Sequence, residues 1–395
     1  MKSDDAPCIR FCAAFGVAAG GGAAPTPPEY LWKDEEGAGV VGRVYLDYNA
    51  TAPLRDEARE AMIAAMDVVG NPSSVHNEGR AARALVERAR GQVAGAVGCK
   101  PQEVIFTSGA TEAAGVLAAV HPHGAVMVDT TAHDCLWSHF DLTHVESDAN
   151  VLAMGLANSE TGVITEPPAK NDAGWPYGAR RASSLLLDVT QAVGRVPFSF
   201  AWSKADMAIC SAHKLGGPKG VGALILRQGL DIEALATGGG QEMGRRAGTE
   251  NVIGIAGFGA AAEAAMRELA DGKWQQVEKL RNILESSIEE SAKETIFVGK
   301  SEARLPNTSC LATPGWKGET QVMQMDLAGF AISAGSACSS GKVGTSRVLR
   351  AMGYDDQVAS SAIRVSLGPA TTEDEIDRFA AAWLKQLDKH RARAA

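Results

Sequence analysis

One lysine of this 395-residue chain stands in a setting suited to covalent chemistry. Lys214 follows Ser211 and His213 and leads into the glycine- and proline-rich stretch Leu215–Gly220. Small polar residues before the lysine can bind a phosphate, and glycines after it let the backbone approach a ligand closely. A lysine so placed can hold an aldehyde cofactor as a Schiff base. Because most lysines are solvated surface charges, this stretch by itself favours neither interpretation.

Three features elsewhere could serve the same ligand. Phe106–Ala114 predicts a strand, a small-residue turn and a helix whose first N–H groups can bind phosphate. The same pattern also fits an ordinary capped helix. Asp188 ends an apolar strand, where it could pair with a protonated pyridine nitrogen or simply cap a helix. His133 could stack on a flat ring or shuttle protons, whereas a lone histidine is more often structural.

A further reactive group is Cys338, which has only small residues around it in Ser333–Gly341. Such flanks predict an exposed loop, in which a thiol can become a nucleophilic thiolate. An incidental exposed thiol is the alternative. The chain has seven cysteines with no CxxC or metal-finger spacing, so we expect free thiols, no metal site and a reducing cytoplasm.

Composition limits the partners of the chain. It is 45% apolar and 22% charged with a net charge of −9, as is usual for globular proteins, and this balance disfavours nucleic acid as the main partner. No apolar run is long enough for a membrane span, so we expect no membrane partner. Residues 1–43 are rich in small residues and proline, and we expect a disordered extension there.

The elements that must position these residues alternate along the chain. Short apolar strands separated by helical stretches predict an α/β domain with a mainly parallel sheet. The region after 295 predicts a smaller α+β unit ending in an amphipathic helix, Glu373–Arg391. The predicted strands are Glu103–Thr107, Ala125–Asp129, Val151–Leu156, Ser184–Asp188, Met207–Ser211 and Val221–Leu226.

Eight motifs in order give the chain a family resemblance over roughly residues 44–385. They are Tyr45–Pro53, Gly70–His76, Phe106–Glu112, Asp188–Gln191, Ser211–Gly220, Ala247–Thr249, Ser333–Ser340 and Ile363–Gly368. Together they resemble the cysteine desulfurases of the NifS/IscS kind, which are class V aminotransferase-like enzymes that use pyridoxal 5'-phosphate (PLP).

The resemblance implies fold type I. In this fold a large domain with a mostly parallel seven-stranded sheet is joined to a smaller α+β C-terminal domain. We expect residues 44–56 to pack with the small domain, 57–268 to form the large domain, and 269–395 to form the small domain with the cysteine loop.

The resemblance also implies a role for each matching residue. Lys214 would carry PLP and remove the substrate α-proton, Cys338 would take the sulfur, and Arg364 would grip the substrate carboxylate. Ser159 stands where the family usually has an asparagine that contacts the ring oxygen, and we expect Asn158 beside it at the substrate. The implied cofactor contacts are Asp188 at the pyridinium, Gln191 at the ring hydroxyl, His133 stacked on the ring, Ala110, Thr111, Ser211 and His213 at the phosphate, and Thr249 across a homodimer interface.

The implied reaction converts L-cysteine to L-alanine and leaves a persulfide on Cys338. An acceptor protein such as an iron–sulfur scaffold would then receive the sulfur. Two alternatives remain open from the residues. One is another class V PLP activity, such as a selenocysteine lyase or an aminotransferase, and the other is a non-catalytic scaffold with this fold.

Overall fold

Strands and helices alternate through most of the chain in the computed structural model, which describes residues 42–119, 125–140, 149–335 and 344–394. The strands are β1 (Val44–Tyr45), β2 (Val104–Thr107), β3 (Val126–Val128), β4 (Ala149–Gly155), β5 (Trp175–Tyr177), β6 (Arg180–Asp188), β7 (Met207–Ser211), β8 (Gly222–Leu226), β9 (Ile296–Phe297), β10 (Thr308–Ala312), β11 (Phe330–Ala331), β12 (Ser333–Ala334) and β13 (Ala362–Ser366).

The helices are α1 (Asp56–Met66), α2 (Asn77–Val97), α3 (Ala110–Ala114), α4 (Asp134–Trp137), α5 (Phe200–Ser203), α6 (Val252–Ala270), α7 (Lys273–Ser291), α8 (Gly318–Leu327), α9 (Arg347–Ala351), α10 (Asp356–Ser361) and α11 (Glu373–Ala394). Four of these described helices, α2, α6, α7 and α11, are 19 to 22 residues long. No helix in these described ranges combines the length and apolar character that a bilayer span requires.

A seven-stranded sheet forms the larger layer, and it confirms the predicted mostly parallel α/β architecture. Its strand order is β2-β8-β7-β6-β4-β3, and the short β5 pairs with the start of β6. Strands β8 and β5 run opposite to the other five. Consecutive leucines of β6 are buried on both faces: Leu185 and Leu187 join one core with α2 and α6, and Leu186 joins the other with α3. Apolar runs of this kind are typical of parallel strands covered on both sides.

A second, antiparallel sheet lies in the C-terminal region, as the sequence predicts for an α+β unit. Its order is β12-β13-β10-β9, and α7, α8 and α11 contribute to its core. Trp316, Trp383 and Phe379 are fully buried there. Strand β1 pairs in parallel with β11, and Val44 and Leu46 are buried in the same core. The exact domain boundaries stay predictions, because Val44–Ala395 forms one compact unit.

A buried carboxyl group connects the segment after β4 to α9. The Ser346 hydroxyl accepts a hydrogen bond from the Leu349 N–H, capping α9, and donates one to Glu160 Oε2 at 2.6 Å. Burial raises the pKa of Glu160 to about 7, although this hydrogen bond and the positive charges of Arg364 and Arg347 favour the ionised form. Glu160 therefore holds its proton through much of the acidic range.

Replacing Glu160 with glutamine should change how stability depends on pH. Between about pH 4.5 and 7 the unfolded chain ionises Glu160 while the folded chain keeps it protonated, so wild-type stability falls as pH rises through this window. We expect Glu160→Gln, which keeps the Ser346 contact, to gain up to about 3 kcal/mol over wild type by pH 8 relative to pH 4. Urea unfolding of both proteins across this range measures the difference, and parallel curves would contradict it.

Candidate functional site

A cavity of about 770 Å³ lies where several parallel strands end. Strands β2, β6 and β7 end at Thr107, Asp188 and Ser211, and the carboxyl edge of such a sheet is where ligands bind. Eleven of the residues singled out in the sequence line this one cavity. They are Ala110, Thr111, His133, Asn158, Ser159, Asp188, Gln191, Ser211, His213, Lys214 and Arg364.

Lys214 extends into the cavity from a single 3-10 turn, Ala212–Lys214, that directly follows β7. Its Nζ donates to the carbonyl oxygens of Asn49 and Ala50 at 2.7 and 2.8 Å. The amine is therefore held by neutral oxygens of the segment that precedes α1, with its charge facing the cavity.

Four consecutive carbonyls around Lys214 are bound from outside the turn. The His213 oxygen accepts from the Ala52 N–H at 2.9 Å, and the Lys214 oxygen accepts from Arg195 Nη2 at 2.8 Å. Arg55 binds the next two: its Nε donates to the Leu215 oxygen at 2.7 Å and its backbone N–H to the Gly216 oxygen at 2.9 Å.

Gly216 in this turn has a positive φ of +88°, and a Cβ there would lie 2.5 Å from Arg55 Cγ. Only glycine permits both this conformation and the close approach of the arginine.

The lining of the cavity includes Ala110 and Thr111 from the start of α3, together with Ser211 and His213. A Cβ on Gly222 would lie 2.6 Å from Gly109 Cα, so glycine is needed for β8 to pass this close to the turn before α3. Glu112 shows that the ordinary capping interpretation also holds, since its carboxylate accepts from the Ser108 N–H at 2.6 Å.

His213 stays neutral at physiological pH. Burial and the positive charges of Lys214, Lys219 and Arg195 lower the pKa of its imidazole to about 4. Its Nδ1 lies 3.2 Å from Thr51 Oγ1. A neutral imidazole can donate one hydrogen bond to an anion while leaving the charge balance of the cavity unchanged.

Asp188, the last residue of β6, also lines the cavity. Its Oδ1 accepts from the Thr190 N–H at 2.9 Å, and its Oδ2 lies 4.0 Å from Cys135 Sγ. Burial raises the pKa of the Cys135 thiol, which keeps it a weak donor. His133 lines the cavity and also caps α4, because its Nδ1 accepts from the Cys135 N–H at 3.1 Å.

Arg364, on β13, is 1% exposed and faces the cavity from the C-terminal sheet. Its Nη2 donates to Asp47 Oδ1 at 2.7 Å, and its Nη1 donates to the Ser159 carbonyl oxygen at 3.0 Å. Asp47 Oδ2 in turn accepts from Ser333 Oγ at 2.8 Å. A carboxylate and a carbonyl thus orient the guanidinium before any ligand binds.

Asn158 uses its side chain to build the loop after β4. Its Oδ1 accepts from the N–H groups of Glu160 and Thr161, both at 2.9 Å, and its Nδ2 donates to the Thr131 oxygen at 2.9 Å. Its predicted contact with substrate and that of Ser159 with cofactor stay predictions.

Two predicted residues are not placed in this cavity. Thr249 is exposed and is not among the cavity's lining residues. Cys338 lies outside the described residues, which end at Gly335 before it and resume at Gly344 after it. Ser333, three residues before that gap, does line the cavity. Within the described ranges no group of three or more His, Cys, Asp and Glu side chains could hold a metal ion.

Five further residues at or beside the site were not indicated by sequence patterns of their own: Asp47, Asn49, Cys135, Thr190 and Arg195. Asp47 and Asn49 lie in the Tyr45–Pro53 motif, so the motif itself was the available signal. Thr190 lies between Asp188 and Gln191, and its buried Oγ1 has no hydrogen-bond partner among the residues that the structure describes. Arg195 gave no local signal, because its partners other than Gln191 come from other segments of the chain.

Comparison with known proteins places these features in a family. The profile of the family described as Aminotransferase class-V matches residues 44–176 and 137–379. A cysteine desulfurase of Cereibacter sphaeroides is 38% identical over 386 residues, covering 89% of this chain and 97% of the relative. A cysteine desulfurase of a Frankia strain is 41% identical over 379 residues, covering 84% and 88%.

A solved structure is also similar. The X-ray structure of a NifS-like protein from Rickettsia africae has a TM-score of 0.76 at 29% sequence identity and covers 88% of this chain and 99% of its own. The family profile, the identity to these relatives and the shared fold together show that the chain belongs to the cysteine desulfurases of the class-V aminotransferase family.

Proposed function

We propose that this chain is a PLP-dependent cysteine desulfurase that removes sulfur from L-cysteine, releases L-alanine and passes the sulfur on from Cys338. The observation that carries the proposal is the cavity itself. It brings together an amine, a carboxylate at a strand end and a guanidinium, those of Lys214, Asp188 and Arg364. The amine can react with an aldehyde, the carboxylate can pair with a pyridine nitrogen, and the guanidinium can bind an amino-acid carboxylate.

The residues present fit PLP. The small and polar group of Ala110, Thr111, Ser211 and His213 suits a phosphate, and the buried Thr190 Oγ1 leaves a hydrogen-bonding atom for a ligand. When bound, PLP supplies an aldehyde for a lysine amine and an electron-withdrawing ring that stabilises negative charge at the substrate α-carbon.

The chain's own residues would bind, orient and move protons. Lys214 Nζ, held by two carbonyl oxygens, would take and return the proton of the substrate α-carbon. Asp188 would hold a proton on the ring nitrogen as its ion-pair partner. Arg364 would bind the substrate carboxylate, and Asp47 keeps its guanidinium turned to the cavity.

Cys338 would accept the sulfur. Its thiolate attacks the sulfur of the bound substrate, so that an S–S bond forms as the carbon–sulfur bond breaks. The electron pair of the broken bond goes to the substrate carbon, which takes up a proton and becomes the methyl group of alanine. The position of Ser333 at the cavity supports this role, because Cys338 follows Ser333 by five residues in the sequence.

We further propose a homodimer in the cytoplasm in which Thr249 reaches the partner's cofactor, and an acceptor protein such as an iron–sulfur scaffold. The exposure of Thr249 on the single chain supports the first point.

Lys214→Ala should abolish both cofactor attachment and turnover. We expect the purified variant to lack the visible absorbance that PLP acquires on a lysine and to release no alanine from cysteine. Lys279→Ala, which removes an exposed lysine of α7, is the control and should retain both. Normal absorbance in the Lys214 variant would contradict the proposal.

Cys338→Ser should separate cofactor binding from sulfur transfer. The variant should keep the visible absorbance but lose sulfide release in the presence of a thiol reductant. Mass spectrometry of wild type after cysteine treatment should find one added sulfur on the peptide with Cys338. Cys99→Ser, a half-buried cysteine remote from the cavity, should behave as wild type; sulfide release by Cys338→Ser at the wild-type rate would rule out this step.

Arg364→Lys should weaken substrate binding selectively. Lysine cannot form the forked pair with a carboxylate, so we expect a loss of about 2 kcal/mol, seen as a roughly 30-fold higher KM for cysteine. Cysteamine, which lacks the carboxylate, provides the matched comparison, since the substitution should not weaken its binding. An unchanged KM for cysteine would remove Arg364 from this role.

A further inference from the structure

Arg195 is a buried arginine behind the cavity, seven residues after the end of β6 and only 3% exposed. Its Nη1 donates to Asn49 Oδ1 and to Gln191 Oε1, both at 2.7 Å. Its Nη2 donates to the Lys214 carbonyl oxygen at 2.8 Å and to the Tyr48 oxygen at 3.4 Å. One planar group therefore joins the segment before α1, the turn after β6 and the turn that carries Lys214.

The acceptors of Arg195 are unusual for a buried guanidinium. All four of these oxygens are neutral, and no carboxylate forms an ion pair with Arg195 in the part of the chain that the structure describes. Burial, together with the positive charges of Arg364 and Arg55, lowers its pKa to about 9. Burying a cation without an ion pair is costly, so this arrangement is a poor device for stability alone.

The first consequence concerns the amide of Gln191. A glutamine amide can flip, so that its oxygen and its NH2 group swap positions. A guanidinium has only donors, so Arg195 is compatible only with the amide orientation in which Gln191 Oε1 faces it. The NH2 group of Gln191 is then directed to the Asn49 backbone oxygen at 3.0 Å, and Gln191 itself lines the cavity.

The second consequence concerns Lys214. The peptide carbonyl of Lys214 is bound by Arg195, and the Asn49 oxygen that accepts from Lys214 Nζ belongs to a residue whose side chain Arg195 also binds. Both ends of the lysine, its backbone and its amine, are therefore tied to the same guanidinium through one or two hydrogen bonds.

We propose that Arg195 is a positioning residue of the site: it presents the NH2 group of Gln191 and the amine of Lys214 to the cavity in one arrangement before a ligand binds. This inference rests on the proposed function, because it assigns Gln191 and Lys214 to the cofactor. Arg195 itself lines a separate surface groove beside Trp274 and not the cavity, so it acts through these neighbours.

The test compares Arg195→Met with wild type, both purified and loaded with PLP. We expect the Kd for PLP to rise about tenfold, its visible absorbance to shift, and kcat to fall about 100-fold. The KM for cysteine should stay within about twofold, because Arg364 keeps its own partners.

Two further variants separate positioning from stability. Arg281→Met removes another buried arginine that binds a carbonyl, that of Leu305 at 2.7 Å, remote from the cavity, and its PLP spectrum and affinity should match wild type. Arg195→Lys keeps the charge but offers one nitrogen where two reach Gln191 and Lys214, so it should resemble Arg195→Met.

The outcomes are distinct. An Arg195→Met protein with the wild-type spectrum, affinity and kcat would overturn the inference, as would full recovery in Arg195→Lys or an equal loss in Arg281→Met. Wild type that acquires no visible absorbance with PLP would instead refute the proposed function.

Discussion

The site depends on how the turn after β7 is held. Four consecutive carbonyls, from His213 to Gly216, accept hydrogen bonds from Ala52, Arg195 and Arg55. A 3-10 turn leaves carbonyls without partners of their own, and buried carbonyls must find donors. Here the donors come from the segment that enters α1 and from the turn after β6. The backbone of Lys214 is thereby fixed, and its amine donates to the carbonyl oxygens of Asn49 and Ala50.

The segment before α1 serves both halves of the molecule. Leu46 is buried in the C-terminal core, while Asp47 pairs with Arg364 of the C-terminal sheet. Two residues on, the Asn49 oxygen accepts from Lys214, which follows a strand of the large sheet. A short stretch of chain therefore sets the distance between the lysine and the arginine. That distance decides whether one small amino acid can reach both groups.

The charges of the cavity are arranged by burial as well as by pairing. His213 is neutral because it is buried beside three cations, and Arg364 is paired with Asp47. Among the described residues Arg195 donates only to neutral oxygens, which leaves its positive charge on this side of the site. An anionic ligand entering the cavity would balance it, and the low dielectric of the site strengthens that attraction.

Much of the fold could be predicted from local patterns. The apolar stretch that ends at Asp188 predicted the end of β6 correctly, and the amphipathic helix predicted over Glu373–Arg391 is observed as α11, Glu373–Ala394. The reversed β8 between β2 and β7 could not be predicted, because strand pairing depends on contacts between distant segments. The domain boundaries and the placement of Cys338 stay predictions.

The sequence by itself determined the chemistry available to this protein: a lysine in a glycine-rich turn, an acid at a strand end, and an ordered set of motifs that the family comparison confirmed. Tertiary structure alone decided which groups hold them. Arg364 meets Asp47 across 317 residues and Arg195 meets Asn49 across 146, so neither pair has a local spacing that a sequence can display. A hydrogen bond depends on where two groups lie in space. The periodicity of a sequence reflects only residues that are close along the chain, which determine helices and strands.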